Sequence, residues 1–228
     1  SFGLAFAGGA MVYVSLTEIF NKSSEAFGQV YDKDKAFAAA TLAFLAGMGS
    51  IALIDRVVPN PHETLDPHDP AFQENKRRHI ARVGMMAAFA ITAHNFPEGL
   101  ATFFATLENP AVGMPLALAI AIHNIPEGIS IAAPVYFATR NRKKTVLACL
   151  ASGLAEPLGA VLGYTMLKPF LSPFVFGAVF GVIAGVMVFL ALDELLPAAK
   201  RYSDGHETVY GLTSGMAVIA LSLVLFHF

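Results

Sequence analysis

Seven stretches of this chain are apolar over the length a helix needs to cross roughly 30 Å of hydrocarbon. They fall near residues 2–21, 36–55, 80–107, 111–138, 145–167, 170–199 and 208–228. Only 14% of the 228 residues are charged and 55% are hydrophobic, against about 25% charged in ordinary soluble domains. That balance is too apolar for a soluble globule and enough for one compact bundle of spanning helices. The expected fold is therefore an all-α polytopic membrane protein, one transmembrane domain over residues 1–228 with the lipid bilayer as its surroundings.

Composition removes several function classes. A net charge of −2 gives no support for nucleic-acid binding. Cys149 is the only cysteine, which excludes intrachain disulfides and a thiolate cluster. Tryptophan is absent, so an interfacial belt must come from the six tyrosines and flanking charges. The chain opens at Ser1 on an apolar segment with no basic stretch before it, unlike a signal peptide. The expectation is a longer protein with an earlier segment missing.

Basic residues orient the segments. The second, fourth and sixth connections hold Arg56, Lys76, Arg77, Arg78, Arg140, Arg142, Lys143, Lys144, Lys200 and Arg201, with Arg82 just beyond. The first, third and fifth hold only Lys22, Lys33, Lys35 and Lys168. The basic side is expected to be cytoplasmic, which puts loops 56–79, 139–144 and 200–207 inside. The loop at about 56–79 carries four prolines and many charges and is expected to be mobile. Within it, His62, Glu63, Asp66, His68, Asp69 and His79 form a cluster able to hold metal weakly, or simply a solvated loop.

Inside this apolar frame one string occurs twice: HNFPEG at residues 94–99 and HNIPEG at 123–128. Each copy sets a histidine and a glutamate four residues apart, on one face of a helix: His94 with Glu98, and His123 with Glu127. A third carboxylate, Glu156, follows at the same 29-residue interval. A charge at mid-membrane costs about 2.5–3.5 kcal/mol on translocon scales, and several together cost more. No lysine or arginine lies at matching depth, so the carboxylates must be protonated, wet or paired with a bound cation. A divalent metal is the simplest counter-charge. Imidazole with carboxylate suits zinc, ferrous iron, manganese and cobalt, whereas calcium or magnesium would want oxygen almost alone. One metal fits this set, as do two with a bridging carboxylate.

The prolines sharpen the point. Pro97 and Pro126 each remove a helix bond and free the carbonyl four residues earlier, on Ala93 and Ile122. Broken turns are tolerated in membranes where they line a cavity. Asn95 and Asn124 can satisfy freed backbone groups or offer an oxygen to metal, and Gly99 and Gly128 allow close approach. A pair of proline kinks with hydrogen-bonded polar residues would explain one copy; two copies and Glu156 ask for more.

These motifs resemble the ZIP (Zrt/Irt-like) family of metal transporters, closest to its bacterial broad-specificity branch. HNFPEG is similar to that family's fourth transmembrane helix, HNIPEG to its fifth, and SGLAEPLG around Glu156 to its sixth. The resemblance spans essentially the whole chain and implies an eight-helix fold lacking its first helix here. It implies a binuclear centre on His94, Asn95, Glu98, His123, Asn124, Glu127 and Glu156, with Glu127 as the bridge. Some members have aspartate where this chain has Asn124, which lowers the negative charge at the second position. It also places Met11 near the centre, Glu18 toward the outer mouth, and Asp193 with Glu194 at the cytoplasmic exit. Core packing for Met11 and a solvated helix end for the acidic pair are the plain alternatives.

The resulting expectation is a transporter, not an enzyme, in a bacterial inner membrane, importing Zn²⁺ and related ions (Fe²⁺, Mn²⁺, Co²⁺, Cd²⁺) as substrate. A channel-like conductor of the same ions would need the same residues. An intramembrane zinc metallohydrolase is the rival from another class. Its HExxH pattern is absent and no carboxylate is left over as a general base. Gly177, Gly181 and Gly185 form a GxxxGxxxG row that lets helices approach closely, as internal packing, a homodimer face or a sliding surface.

Overall fold

A helix start leaves its first N–H groups without partners, and among the described residues three starts supply one from a side chain. Asp32 Oδ1 accepts from the Lys35 amide at 3.1 Å, Asn141 Oδ1 from Lys144 at 3.2 Å, and Ser172 Oγ from Val175 at 3.3 Å. Pro173 follows Ser172 at the first helical position, where its missing N–H costs nothing. The Lys35 ammonium also donates to Asp32 at 2.7 Å and holds that carboxyl below its ordinary range.

A computed structural model describes residues 2–57, 88, 91, 92, 95–107, 110–201, 203 and 205–226. Among the described residues there are seven helical rods and no strand. They are α1 (Phe2–Gly28), α2 (Lys33–Val57), α3 (95–107), α4 (Pro110–Thr139), α5 (Arg142–Phe170), α6 (Pro173–Lys200) and α7 (Glu207–Phe226). Five of these, α1, α2, α5, α6 and α7, are long and apolar enough to cross a membrane. The chain is a polytopic helical membrane protein, as its composition requires. The loop expected over 56–79 lies outside the described residues from 58 onward.

The rods differ from the expected segments where tertiary contacts decide. The first was expected to stop near 21, at the polar run Asn21–Lys22–Ser23–Ser24–Glu25. It continues to Gly28 because Ser23, Ala26 and Phe27 turn inward on α6, and Ser23 Oγ donates to the Gly177 carbonyl at 2.6 Å. Two rods contain a widened π turn, Ser15–Ile19 in α1 and Ala191–Leu195 in α6. In α6 the turn closes on a bond from the Leu196 amide to the Ala191 carbonyl. Pro197 next in line has no N–H, so it cannot serve the Asp193 carbonyl in a regular turn.

Lipid offers apolar side chains no advantage in leaving it, so close backbone packing must hold the rods together. Glycine provides that approach. A β-carbon on Gly9 would run into the Leu212 backbone, and one on Gly215 into the Phe6 carbonyl, which joins α1 to α7. Gly47 meets the Val182 carbonyl and Gly185 the Phe44 carbonyl, which joins α2 to α6. The row of Gly177, Gly181 and Gly185 is thus used inside the chain, against Phe27 of α1 and Ala43 and Phe44 of α2. Around this frame lies the larger of two apolar clusters among the described residues. Met11, Val14 and Ile19 of α1 meet Phe104 of α3, Ile120 of α4, Phe180 and Met187 of α6, and Ile219 of α7.

Candidate metal centre

The residues expected to hold metal lie on α3, α4 and α5. Asn95 and Glu98 come from the described start of α3, Asn124 and Glu127 from the middle of α4, and Glu156 from α5 just after an interruption at Leu154. The interruption has a local cause. Pro157 has no N–H for the Gly153 carbonyl, so the regular ladder cannot run through this point. Each of the three glutamates therefore has a proline as its chain neighbour: Pro97, Pro126 and Pro157.

Burial at this level is nearly complete. Glu98 is 0% exposed, Glu127 2% and Asn95 4%, whereas Asn124 and Glu156 are half-buried. Carboxylates are almost never removed from solvent to this degree unless something compensates their charge.

Both motif copies make contact with α5. The Asn95 amide Nδ2 donates to the Ser152 carbonyl at 3.2 Å and lies 3.5 Å from Ser152 Oγ. One turn along, Gly99 packs so closely that a β-carbon there would collide with the Glu156 carbonyl oxygen. From the other side, the Asn124 amide donates to Glu156 Oε1. Glu156 is thus held by its backbone against α3 and by its carboxylate against α4. The carbonyl oxygens Asn95 Oδ1 and Asn124 Oδ1 are buried and find no hydrogen-bond partner among the described residues. A buried acceptor left so costs about 1–3 kcal/mol, and an incoming cation would satisfy it.

His94 and the side chain of His123 lie outside the described residues. Among the described residues, no three His, Cys, Asp or Glu side chains stand close enough together to hold an ion. What the described residues show is one amide from each motif copy reaching α5, Asn95 at Ser152 and Asn124 at Glu156.

The outlying residues divide. Met11 is fully buried in the main apolar cluster, in company with Phe104 and Ile120 of the helices that carry the motif. Glu18 is half-buried and sits in the π turn of α1. Asp193 and Glu194 are half-buried in the π turn of α6. That all three acidic residues fall in widened turns was not read from sequence, although Pro197 after Asp193 was a usable sign. Ser152 was also missed. Its sign was arithmetic, since it stands 29 residues after His123 as Glu156 stands after Glu127.

A sequence profile of the family described as ZIP zinc transporter matches residues 56–223. A zinc transporter ZupT from Neisseria meningitidis serogroup B is 90% identical over 228 residues, which is 100% of this chain and 85% of the relative. One from Xanthomonas axonopodis pv. citri is 70% identical over 228 residues, with 100% and 84% covered. One from Lysinibacillus sphaericus is 46% identical over 233 residues, with 99% and 86% covered.

Proposed function

Because this chain belongs to the ZIP zinc transporter family, we propose that it imports Zn²⁺ into the cytoplasm through a metal site on α3, α4 and α5. The family is one of transporters, and the metallohydrolase reading falls with that membership. The proposed ligands are His94, Asn95, Glu98, His123, Asn124, Glu127 and Glu156. Fe²⁺, Mn²⁺, Co²⁺ and Cd²⁺ share these ligand preferences and are proposed as further substrates. The observation that carries the proposal is the complete burial of Glu98 and Glu127 in apolar helices. A divalent ion bound between such carboxylates would offset that cost, and its affinity would depend on their protonation, which suits a site that must load and unload.

The path proposed runs from Glu18 past Met11 to the centre, and out past Asp193 and Glu194. The basic loops would face the cytoplasm, in the inner membrane of a bacterium. Asn124 contributes no charge, so a second metal position would be the weaker one.

Alternating access is the proposed mechanism, by rocking one helix group against another. Its support is the distribution of close backbone contacts. Glycine contacts tie α1 to α7 and α2 to α6, and a separate set ties α3 to α5 through Gly99, Gly159 and Gly163. Between the groups one contact is side chain on side chain, where Phe104 of α3 meets Phe176 of α6 edge-on at 5.1 Å. Such a boundary can shift, and a channel would have no use for it. Zinc uptake into proteoliposomes tests the proposal. Saturable uptake is expected, with loss of it in Glu127→Ala. Normal uptake by that variant would refute the assignment.

A further inference from the structure

We infer that α5 carries a third, degenerate copy of the repeat, and that Ser152, in the register of its histidine, is a positioning residue that fixes the amide of Asn95. The inference rests on the reading of α3, α4 and α5 as the metal centre and adds to it a residue outside the proposed ligand set.

The register is regular. His94, His123 and Ser152 are spaced by 29 residues, as are Glu98, Glu127 and Glu156. The asparagine position of the third copy is Gly153, beside the interruption of the helix. Ser152 is 2% exposed. It shares the inward face of α5 with Thr145, Ala155, Gly159 and Gly163, while Leu150, Leu154 and Leu158 are more than half exposed.

Ser152 meets Asn95 with two oxygens, its carbonyl at 3.2 Å and its hydroxyl at 3.5 Å. A backbone carbonyl can only accept, so the end of the Asn95 amide facing it must be the NH₂. Turning the amide over would set oxygen against oxygen at that distance. Asn95 Oδ1 is therefore held away from Ser152, buried and without a hydrogen bond among the described residues. The third copy has exchanged a ligand for a device that aims one. Ser152 keeps the amide oxygen of the first copy available to the ion and keeps its NH₂, which would repel a cation, turned away.

Zinc flux into proteoliposomes containing the full chain tests this, with half-saturation and maximal rate measured separately. Ser152→Ala keeps the carbonyl and loses the hydroxyl. It is expected to raise half-saturation for Zn²⁺ roughly two- to tenfold, the effect of one neutral hydrogen bond, with the maximal rate retained. Ser152→Thr restores a hydroxyl and is expected to recover most of the loss. Asn95→Asp sets a carboxylate oxygen against the Ser152 carbonyl and is expected to lose uptake by more than about tenfold, although an aspartate is otherwise the better cation ligand. Unchanged half-saturation in Ser152→Ala, or wild-type uptake in Asn95→Asp, overturns the inference. So does a Ser152→Ala variant whose only loss is of folded protein, judged by its thermal midpoint in detergent. Absence of zinc flux in the wild type would instead overturn the reading of the centre itself.

Discussion

The two copies of HNxPEG differ at one residue in six, yet the protein uses them differently. In the α3 copy, Asn95 bonds to the main chain of α5 and Gly99 lies against the Glu156 backbone. In the α4 copy, Asn124 bonds to the Glu156 side chain, and a β-carbon on Gly128 would meet nothing within 4 Å. The first copy is built into α5 through backbone, where little can give. The second touches α5 through side chains at Glu156 and through a 3.5 Å contact from the Cys149 thiol to the Gly128 carbonyl. Near-identical local sequence settles the helix and the residue types it presents. The neighbour decides which copy is anchored and which is adjustable.

The most damaging way to probe this difference is Gly99→Ala. The added methyl would have to displace the Glu156 backbone, and overpacking against backbone costs more than the usual 1–3 kcal/mol or so for an extra methylene in a core. Zinc uptake in proteoliposomes is expected to fall more than about tenfold, with a lowered thermal midpoint, because Glu156 moves relative to Glu98. Uptake near the wild-type rate would show that the α3–α5 contact does not place the third carboxylate.

A gentler change addresses charge. Asn124→Asp brings two carboxylates together where an amide now donates to Glu156. Such a pair is tolerated with a shared proton or a divalent cation between its members. The expected outcome is an additional bound ion per chain, counted by zinc titration or by anomalous scattering. An unchanged stoichiometry would mean that the amide does not limit the second position.

How far the sequence reached follows from the range of each interaction. The helical class and the inward placing of Glu98 and Glu127 were legible, since burying a charge in lipid forces a small set of outcomes whatever the fold. The end of α1 was not, because Ser23 becomes a buried residue only when the Gly177 carbonyl receives its hydroxyl. Nor was the use of the glycine row: GxxxGxxxG announces close packing without saying against what, and Phe27, Ala43 and Phe44 come from distant chain positions. The π turn at Ala191–Leu195 was half legible. Pro197 removes a donor, but whether a helix answers by kinking or by widening depends on what packs around it. Ser152 escaped because its residue type gives no hint of chemistry, and only its interval does.

The smallest expected effect is also the sharpest control. Gly128→Ala repeats the Gly99→Ala change at the matching position of the other copy, where the new methyl enters open space. Alanine favours helix over glycine by about 1 kcal/mol, so the thermal midpoint should hold or rise slightly, and zinc uptake should stay within about twofold. The two substitutions are chemically the same and sit beside equivalent glutamates. A difference between them can therefore come only from the backbone that Gly99 touches and Gly128 does not. Equal damage from both would mean that glycine serves the motif itself, through kink flexibility shared by the copies, and the distinction between an anchored and an adjustable copy would have to be given up.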